Sequence, residues 1–200
     1  DIGALKRATG RPTRDFGREK QVLDRARALA GSLGVSSALA ESLLSLLIRS
    51  SLANQEQARV RAEGQGSGKP ALVIGGSGKM GRWFTEFLQS QGFSVTVADP
   101  AGPVPGFPHA ADWRDTADEF AVTVVSAPIP LTGGILHDLG ARQRRGLIFD
   151  IGSLKTPFIP ELKALCNRGL RVTSVHPMFG PDTELLSGRH VLFLDVGCPD

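Results

Sequence analysis

Three stretches of this chain set reactive or ligand-binding residue types beside rigid turns. In the first, the apolar run Ala71-Leu72-Val73-Ile74 ends in Gly75-Gly76-Ser77-Gly78-Lys79-Met80-Gly81-Arg82, which places Gly76, Gly78 and Gly81 at GxGxxG spacing. Such a loop suits a dinucleotide: the first glycine permits a tight turn, the second lets backbone N–H groups approach the pyrophosphate, and the third lets helix pack on strand. Ser77, Lys79 and Met80 then lie at the helix N-terminus, where unpaired N–H donors and the positive dipole end face the phosphates. Asp99 follows Gly81 by 18 residues, near the position of the acidic residue that accepts from an adenosine ribose. Its charge would repel a 2′-phosphate and no Arg follows immediately, so NAD is expected over NADP. The plainer reading of Asp99 is the start of the turn Asp99-Pro100.

The second stretch joins a strand end to a rigid turn, Ser126-Ala127-Pro128-Ile129-Pro130, where the nicotinamide half would lie, and gives Ser126 and Pro128 as cofactor contacts. The third comprises Asp150-Ile151-Gly152-Ser153-Leu154-Lys155 and His176-Pro177-Met178-Phe179-Gly180-Pro181. His176, braced by prolines at a strand end, is the best acid–base candidate, because an imidazole titrates near neutrality. Ser153 can hold a substrate hydroxyl or cap the following helix. Lys155 can attract a substrate carboxylate or stand solvated at a helix start. His109, His137 and His190 lack comparable surroundings, and no metal site is expected.

The elements that must carry these residues fall in two compositional regions. Upstream the pattern is helical: Glu19 to Ser32 sets Val22, Leu23, Ala26 and Leu29 on one face, and Ser36 to Gln57 does so with Leu39, Leu43, Leu44, Leu47 and Ile48. Ser36 or Ser37 can cap the second helix. Glu63 to Pro70 reads as a flexible linker by composition. Downstream, strands at Ala71–Ile74, Val95–Ala98, Val122–Ser126, Leu147–Asp150, Val172–Val175 and Val191–Leu194 alternate with helices, the signature of a parallel sheet. The expected division is a helical segment 1–60, a linker 61–69 and a dinucleotide-binding domain 70–200.

Composition excludes several classes. A net charge of +3 with no basic block interleaved with aromatics argues against nucleic acid. Two isolated cysteines are too few for a disulfide framework or a metal site and point to a reducing compartment. No apolar run reaches membrane-spanning length and no signal peptide opens the chain, so no membrane partner is expected and the cytoplasm is the expected location.

The glycine loop Gly75 to Arg82, the segment Asp150 to Lys155 and the segment His176 to Asp182 together resemble prephenate dehydrogenase, in the bifunctional T-protein form in which a chorismate mutase precedes the dehydrogenase. The resemblance covers roughly residues 70 to 195. It implies an α/β Rossmann-type doubly wound sheet and oxidative decarboxylation of prephenate to 4-hydroxyphenylpyruvate with NAD as hydride acceptor. By it, His176 accepts the proton of the ring hydroxyl while Ser153 orients that hydroxyl.

The N-terminal segment, with Lys6, Arg11, Pro12, Arg14, Asp15, Arg18, Glu19, Ser51 and Gln55, resembles the all-helical chorismate mutase. That implies contacts from Lys6 and Gln55 to the breaking ether oxygen, from Asp15 and Glu19 to the ring hydroxyl, and from Arg18 and Ser51 to the carboxylate end. It also implies a homodimer with exchanged helices. The family's long first helix and its C-terminal helical domain have no counterpart in the sequence, so a fragment is expected. Two rivals stand beside this reading: a dehydrogenase for prephenate or arogenate whose helices only dimerise, and a non-enzymatic NAD-binding regulatory module.

Overall fold

A computed structural model describes residues 9–10, 14–117 and 119–198. The chain divides into a helical unit, which runs to Ala62 and includes Glu184–Ser187, and a sheet unit formed by the remainder.

In the helical unit, α1 spans Phe16–Ser32 and starts at Asp15, whose Oδ1 accepts from Arg18 N at 2.9 Å. A short polar side chain in this place satisfies one of the free N–H groups of the first turn. Gly34, at φ +69°, reverses the chain, and Val35 N closes on Ala30 O at 2.9 Å. Ser36 then caps α2 (Ser37–Ala62) by accepting from Leu39 N at 3.3 Å. Arg27 on α1 grips Glu41 on α2 through bonds of 2.8 and 2.5 Å. The expected apolar faces are only partly covered, since Leu29, Leu39, Leu43 and Leu47 are more than half exposed. Two helices share a single seam, narrower than the apolar stripe these sequences carry. Glu56 is buried, and its carboxylate accepts from Leu186 N at 2.6 Å and Ser187 Oγ at 2.5 Å.

The sheet unit contains β1 (Pro70–Ile74), α3 (Lys79–Ser90), β2 (Ser94–Ala98), β3 (His109–Ala110), β4 (Glu119–Val125), α4 (Ile129–Ala141), β5 (Arg145–Asp150), α5 (Ile159–Asn167), β6 (Arg171–Pro177) and β7 (Val191–Leu194). The strand order is β3-β2-β1-β4-β5-β6-β7. The apolar run of β1 is explained by its central place: Ala71 and Val73 join a core with Phe84 and Leu88 of α3, while Leu72 and Ile74 join the opposite core with α4 and α5. A strand covered on both faces reads as continuously apolar.

Four expectations are corrected. The last strand, β7, pairs antiparallel with β6, because no helix intervenes to carry the chain back to the opposite edge. The short strand β3 was not anticipated; its two residues carry too little pattern to stand out. The glycine-rich stretch after Ala62 is docked, with Gly66 N on Gln91 O at 2.8 Å and Gly68 N on Gly92 O at 2.7 Å. Its composition reflects close packing against the end of α3 rather than flexibility. Finally, Cys166 and Cys198 are joined as a disulfide with Cα atoms 5.1 Å apart, a proximity that 32 residues of separation concealed.

Candidate functional site

The site begins at the carboxyl edge of β1, where the chain order switches from β2 on one side to β4 on the other. Ligands of open α/β sheets bind at such a crevice. Gly75 makes the turn at φ +81°, and a Cβ there would lie 2.6 Å from Ser126 O. The tight turn expected of Gly76 therefore falls one residue earlier. The third-glycine role holds at Gly81, where a Cβ would come 2.1 Å from Gly75 O. Gly78 differs, since a Cβ there meets nothing nearer than Gly75 O at 3.4 Å. The protein's own packing thus does not require glycine at this position, which lies at the uncapped N-terminus of α3. Open space before free backbone N–H groups is what a pyrophosphate needs.

Asp99 is buried and directs its carboxylate to the same loop, accepting from Ser77 N at 2.9 Å and Ala101 N at 2.8 Å. Each oxygen has a lone pair left for a ribose hydroxyl. His109, without a role in the sequence reading, braces the turn through Nε2 to Asp99 O at 2.9 Å. A cleft of about 1360 Å³ opens from here, with Gly78, Asp99, Trp113, Ser126, Pro128 and Leu131 among its lining residues. Trp113 Nε1 and Glu161 Oε2, on two further walls, are buried polar atoms with no partner. An unmatched donor and acceptor beside one cavity fit a polar ligand there.

Arg114 also lines the cleft and was not singled out by sequence. Its Nη1 lies 3.2 Å from Asp112 Oδ1, and its Nη2 is paired with Asp138 on α4. These partners, the Asp138 hydrogen bond foremost, raise its pKa, while the backbone bond from Arg114 lowers that of Asp112.

At the other end of the sheet edge the organising residue is Asp150, the fully buried last residue of β5. Its Oδ1 accepts from Lys155 Nζ at 2.7 Å and Gly152 N at 2.9 Å, and its Oδ2 from Ser174 Oγ at 2.5 Å. Lys155 Nζ also donates to Val175 O at 2.8 Å. Burial pushes the Lys155 pKa down, against the opposing pull of Asp150. Lys155 is therefore neither solvated nor free to take a substrate carboxylate. It clips the turn bearing Ser153 to the strand bearing His176.

Ser153 is exposed and His176, opposite Leu192 of β7, half-buried. The loop after His176 is held by Trp83 of α3, whose indole N–H donates to Thr183 O at 3.1 Å and whose ring meets Phe179 at 4.9 Å. Asp150, Ser174 and Trp83 were given no role in the sequence reading. Only Asp150 carried a usable signal, a carboxylate ending an apolar strand.

In the helical unit Gln55 Nε2 donates to Ser51 Oγ at 3.0 Å, as their four-residue spacing allows, and Gln55 Oε1 is buried without a partner. Asp15 is the α1 cap, and Arg18 reaches Gln21 Oε1 at 3.5 Å. Glu19 binds Arg14 at 3.1 and 3.3 Å instead of standing free for a hydroxyl. Lys6 and Arg11 lie outside the described residues.

A mostly parallel sheet of this order, with a glycine turn, an uncapped helix N-terminus and a cleft at the strand ends, defines a dinucleotide-binding α/β domain. The family model for chorismate mutase type II matches residues 1–56, and that for the prephenate dehydrogenase nucleotide-binding domain matches residues 106–195. Along its whole length the chain is 28% identical to the T-protein of Enterobacter agglomerans and 28% identical to that of Haemophilus influenzae, covering 51% and 50% of those proteins. Over 60% of its length it is 29% identical to a probable arogenate/prephenate dehydrogenase of Methanocaldococcus jannaschii, covering 29% of that protein. The two family models thus match different parts of the chain, one its helical N-terminal segment and the other the later part of its sheet unit, and the chain spans about half the length of the two T-proteins. No described helix is long and apolar enough to cross a membrane.

Proposed function

We propose that this chain serves both steps of a bifunctional enzyme of tyrosine biosynthesis. The helical unit rearranges chorismate to prephenate, and the sheet unit oxidises prephenate to 4-hydroxyphenylpyruvate with loss of CO2. The observation that carries the second step is the shared edge of the sheet. The cradle at Gly78 and the turn-and-strand pair bearing Ser153 and His176 all lie at strand carboxyl ends.

NAD is the cofactor we assign, and when bound it supplies the hydride acceptor. The residues present fit it. Backbone N–H groups of Lys79, Met80 and Gly81, in the first turn of α3, would hold the pyrophosphate, with Gly76 and Ser77 shaping the loop. Asp99 accepts from the ribose, while Ser126 and Pro128 line the crevice. His176 accepts the proton of the ring hydroxyl as hydride leaves the carbon that bears it, and Ser153 hydrogen-bonds the same oxygen. Orientation and proton removal are the protein's main tasks, because aromatisation and loss of CO2 make the step strongly downhill.

In the mutase step no nucleophile is needed. Lys6 and Gln55 would place donors where charge builds on the ether oxygen, Gln55 through the Nε2 amide that already gives one N–H to Ser51 Oγ. Ser51 orients Gln55, and Arg18 meets a carboxylate. Asp15 and Glu19 reach the ring hydroxyl only by sharing or exchanging their present partners. Dimerisation through the incompletely covered helices belongs to the same proposal, as does action in the cytoplasm, where the Cys166–Cys198 pair would stand reduced.

The test uses protein expressed from the complete reading frame. His176→Asn should lower dehydrogenase kcat about 10²-fold or more, the scale of a lost general base, with dinucleotide binding retained. Lys6→Ala should depress chorismate turnover alone. Unchanged rates in both variants would end the assignment. Running prephenate and arogenate side by side identifies the preferred cyclohexadienyl substrate.

A further inference from the structure

The cleft that opens from Asp99 has an unusual charge balance. Arg114 is the single Arg or Lys among its lining residues, against four carboxylates, those of Asp99, Asp112, Asp138 and Glu161. That one cation is already committed on both sides. Asp112 reaches its Nη1 at 3.2 and 3.3 Å, and Asp138 takes its Nη2 from α4. Its guanidinium lies over the Trp113 ring at 4.8 Å, and its backbone oxygen accepts from Arg142 Nη1 at 2.9 Å. Stacking and hydrogen bonding fix the fork in place, so it is not a loose side chain free to turn toward a ligand.

The position of this trio gives it a meaning. Asp99 N donates to Ala110 O at 3.0 Å, so the segment carrying Asp112 and Arg114 leaves the sheet directly beside the ribose-binding carboxylate. Arg114 is therefore the arginine that lines the same cleft as Asp99, on the wall that follows Ala110 in the chain. A free arginine there would bind a 2′-phosphate on the adenosine ribose bidentately. Paired with two carboxylates it offers little net charge.

We propose that Asp112 and Asp138 determine cofactor specificity by occupying Arg114, which closes the cleft to a 2′-phosphorylated dinucleotide. This rests on the reading of the cleft as the adenosine half of a dinucleotide site. Asp99 repels the phosphate by its own charge, and the two further carboxylates withhold the one group able to compensate. Specificity of this kind depends on removing an attraction as much as on adding a repulsion.

The experiment measures binding of NAD+ and NADP+ to the chain by quenching of intrinsic fluorescence, since Trp113 lines the cleft, with calorimetry as a second readout. Asp112→Asn and Asp138→Asn, singly and together, keep the shape of the side chains and one acceptor oxygen each while removing charge. The double variant should raise NADP+ affinity relative to NAD+ tenfold or more, with the gain shrinking at high salt. Adding Arg114→Ala should cancel it. An unchanged affinity ratio in the folded double variant, or a gain that survives Arg114→Ala, overturns the proposal. Failure of the wild-type chain to bind either dinucleotide would instead overturn the reading of the cleft.

Discussion

Replacing Lys155 by Met should destabilise the sheet unit severely, and the structure sets the size of the effect. Methionine fills nearly the same volume as the lysine stem, so packing loss is small. What remains is the Asp150 carboxylate, fully buried, with only Gly152 N and Ser174 Oγ as donors. Removing one partner of a buried ion pair costs about 3–5 kcal/mol, because the other charge is left uncompensated. At about 3–5 °C per kcal/mol for a domain of this size, the melting point should fall by about 10–20 °C. The assay is thermal or urea unfolding followed by tryptophan fluorescence, since both tryptophans, Trp83 and Trp113, belong to the sheet unit. Asp150→Asn with Lys155→Met removes both charges and should recover most of the loss. The folded-state pKa of Lys155 lies below its ordinary value of 10.5. Between those values the unfolded chain binds more protons, so wild-type stability should rise with pH across that interval, an increment the Met variant lacks. A single variant as stable as the double one would refute this reasoning.

The glycine positions should separate folding from binding. Gly81→Ala forces Cβ to within 2.1 Å of Gly75 O and should lower both the melting point and dinucleotide affinity, whereas Gly78→Ala should leave the melting point within a few degrees and weaken binding tenfold or more in calorimetry. Asp99→Ser should raise NADP+ use relative to NAD+. It should also cost about 1–3 kcal/mol in urea unfolding, because the Ser77 and Ala101 amides lose their acceptor. Reducing the Cys166–Cys198 bridge should cost about 3–4 kcal/mol by loop-closure entropy over its 32-residue separation, read as a lower melting point absent in Cys198→Ser.

What the sequence made legible follows from local physics. The β1 run, the glycine loop and the amphipathic α3 each carry their signal within about ten residues; β1 and α3 lie where it puts them, and the loop differs only in making its tight turn at Gly75, one residue before Gly76. Ser36 and the Ser51–Gln55 pair follow equally local rules of capping and helical spacing. The misreadings are non-local. Lys155 looked available to a substrate carboxylate or to solvent because its partners, Asp150 and Val175, come from two different strands. The linker looked flexible because the end of α3, which it packs against, follows it in the chain. Glu19 looked available until Arg14 was seen to cover both its oxygens. Trp83 gave no hint of a role, since its partners Phe179 and Thr183 lie about a hundred residues away.

The double duty of Asp99 bears on how such a cofactor site changes over evolutionary time. On the proposed reading one carboxylate accepts from the ribose, and in the structure it already holds two backbone amides of the turns around it. A lineage drifting toward a phosphorylated cofactor cannot discard that residue without loosening the loop that grips the pyrophosphate. Substitutions at Asp112 and Asp138, which hold no part of that loop, leave the grip intact. The accessible route to altered cofactor preference therefore runs through the far wall of the cleft, and natural variants with changed preference should differ there before they differ at Asp99.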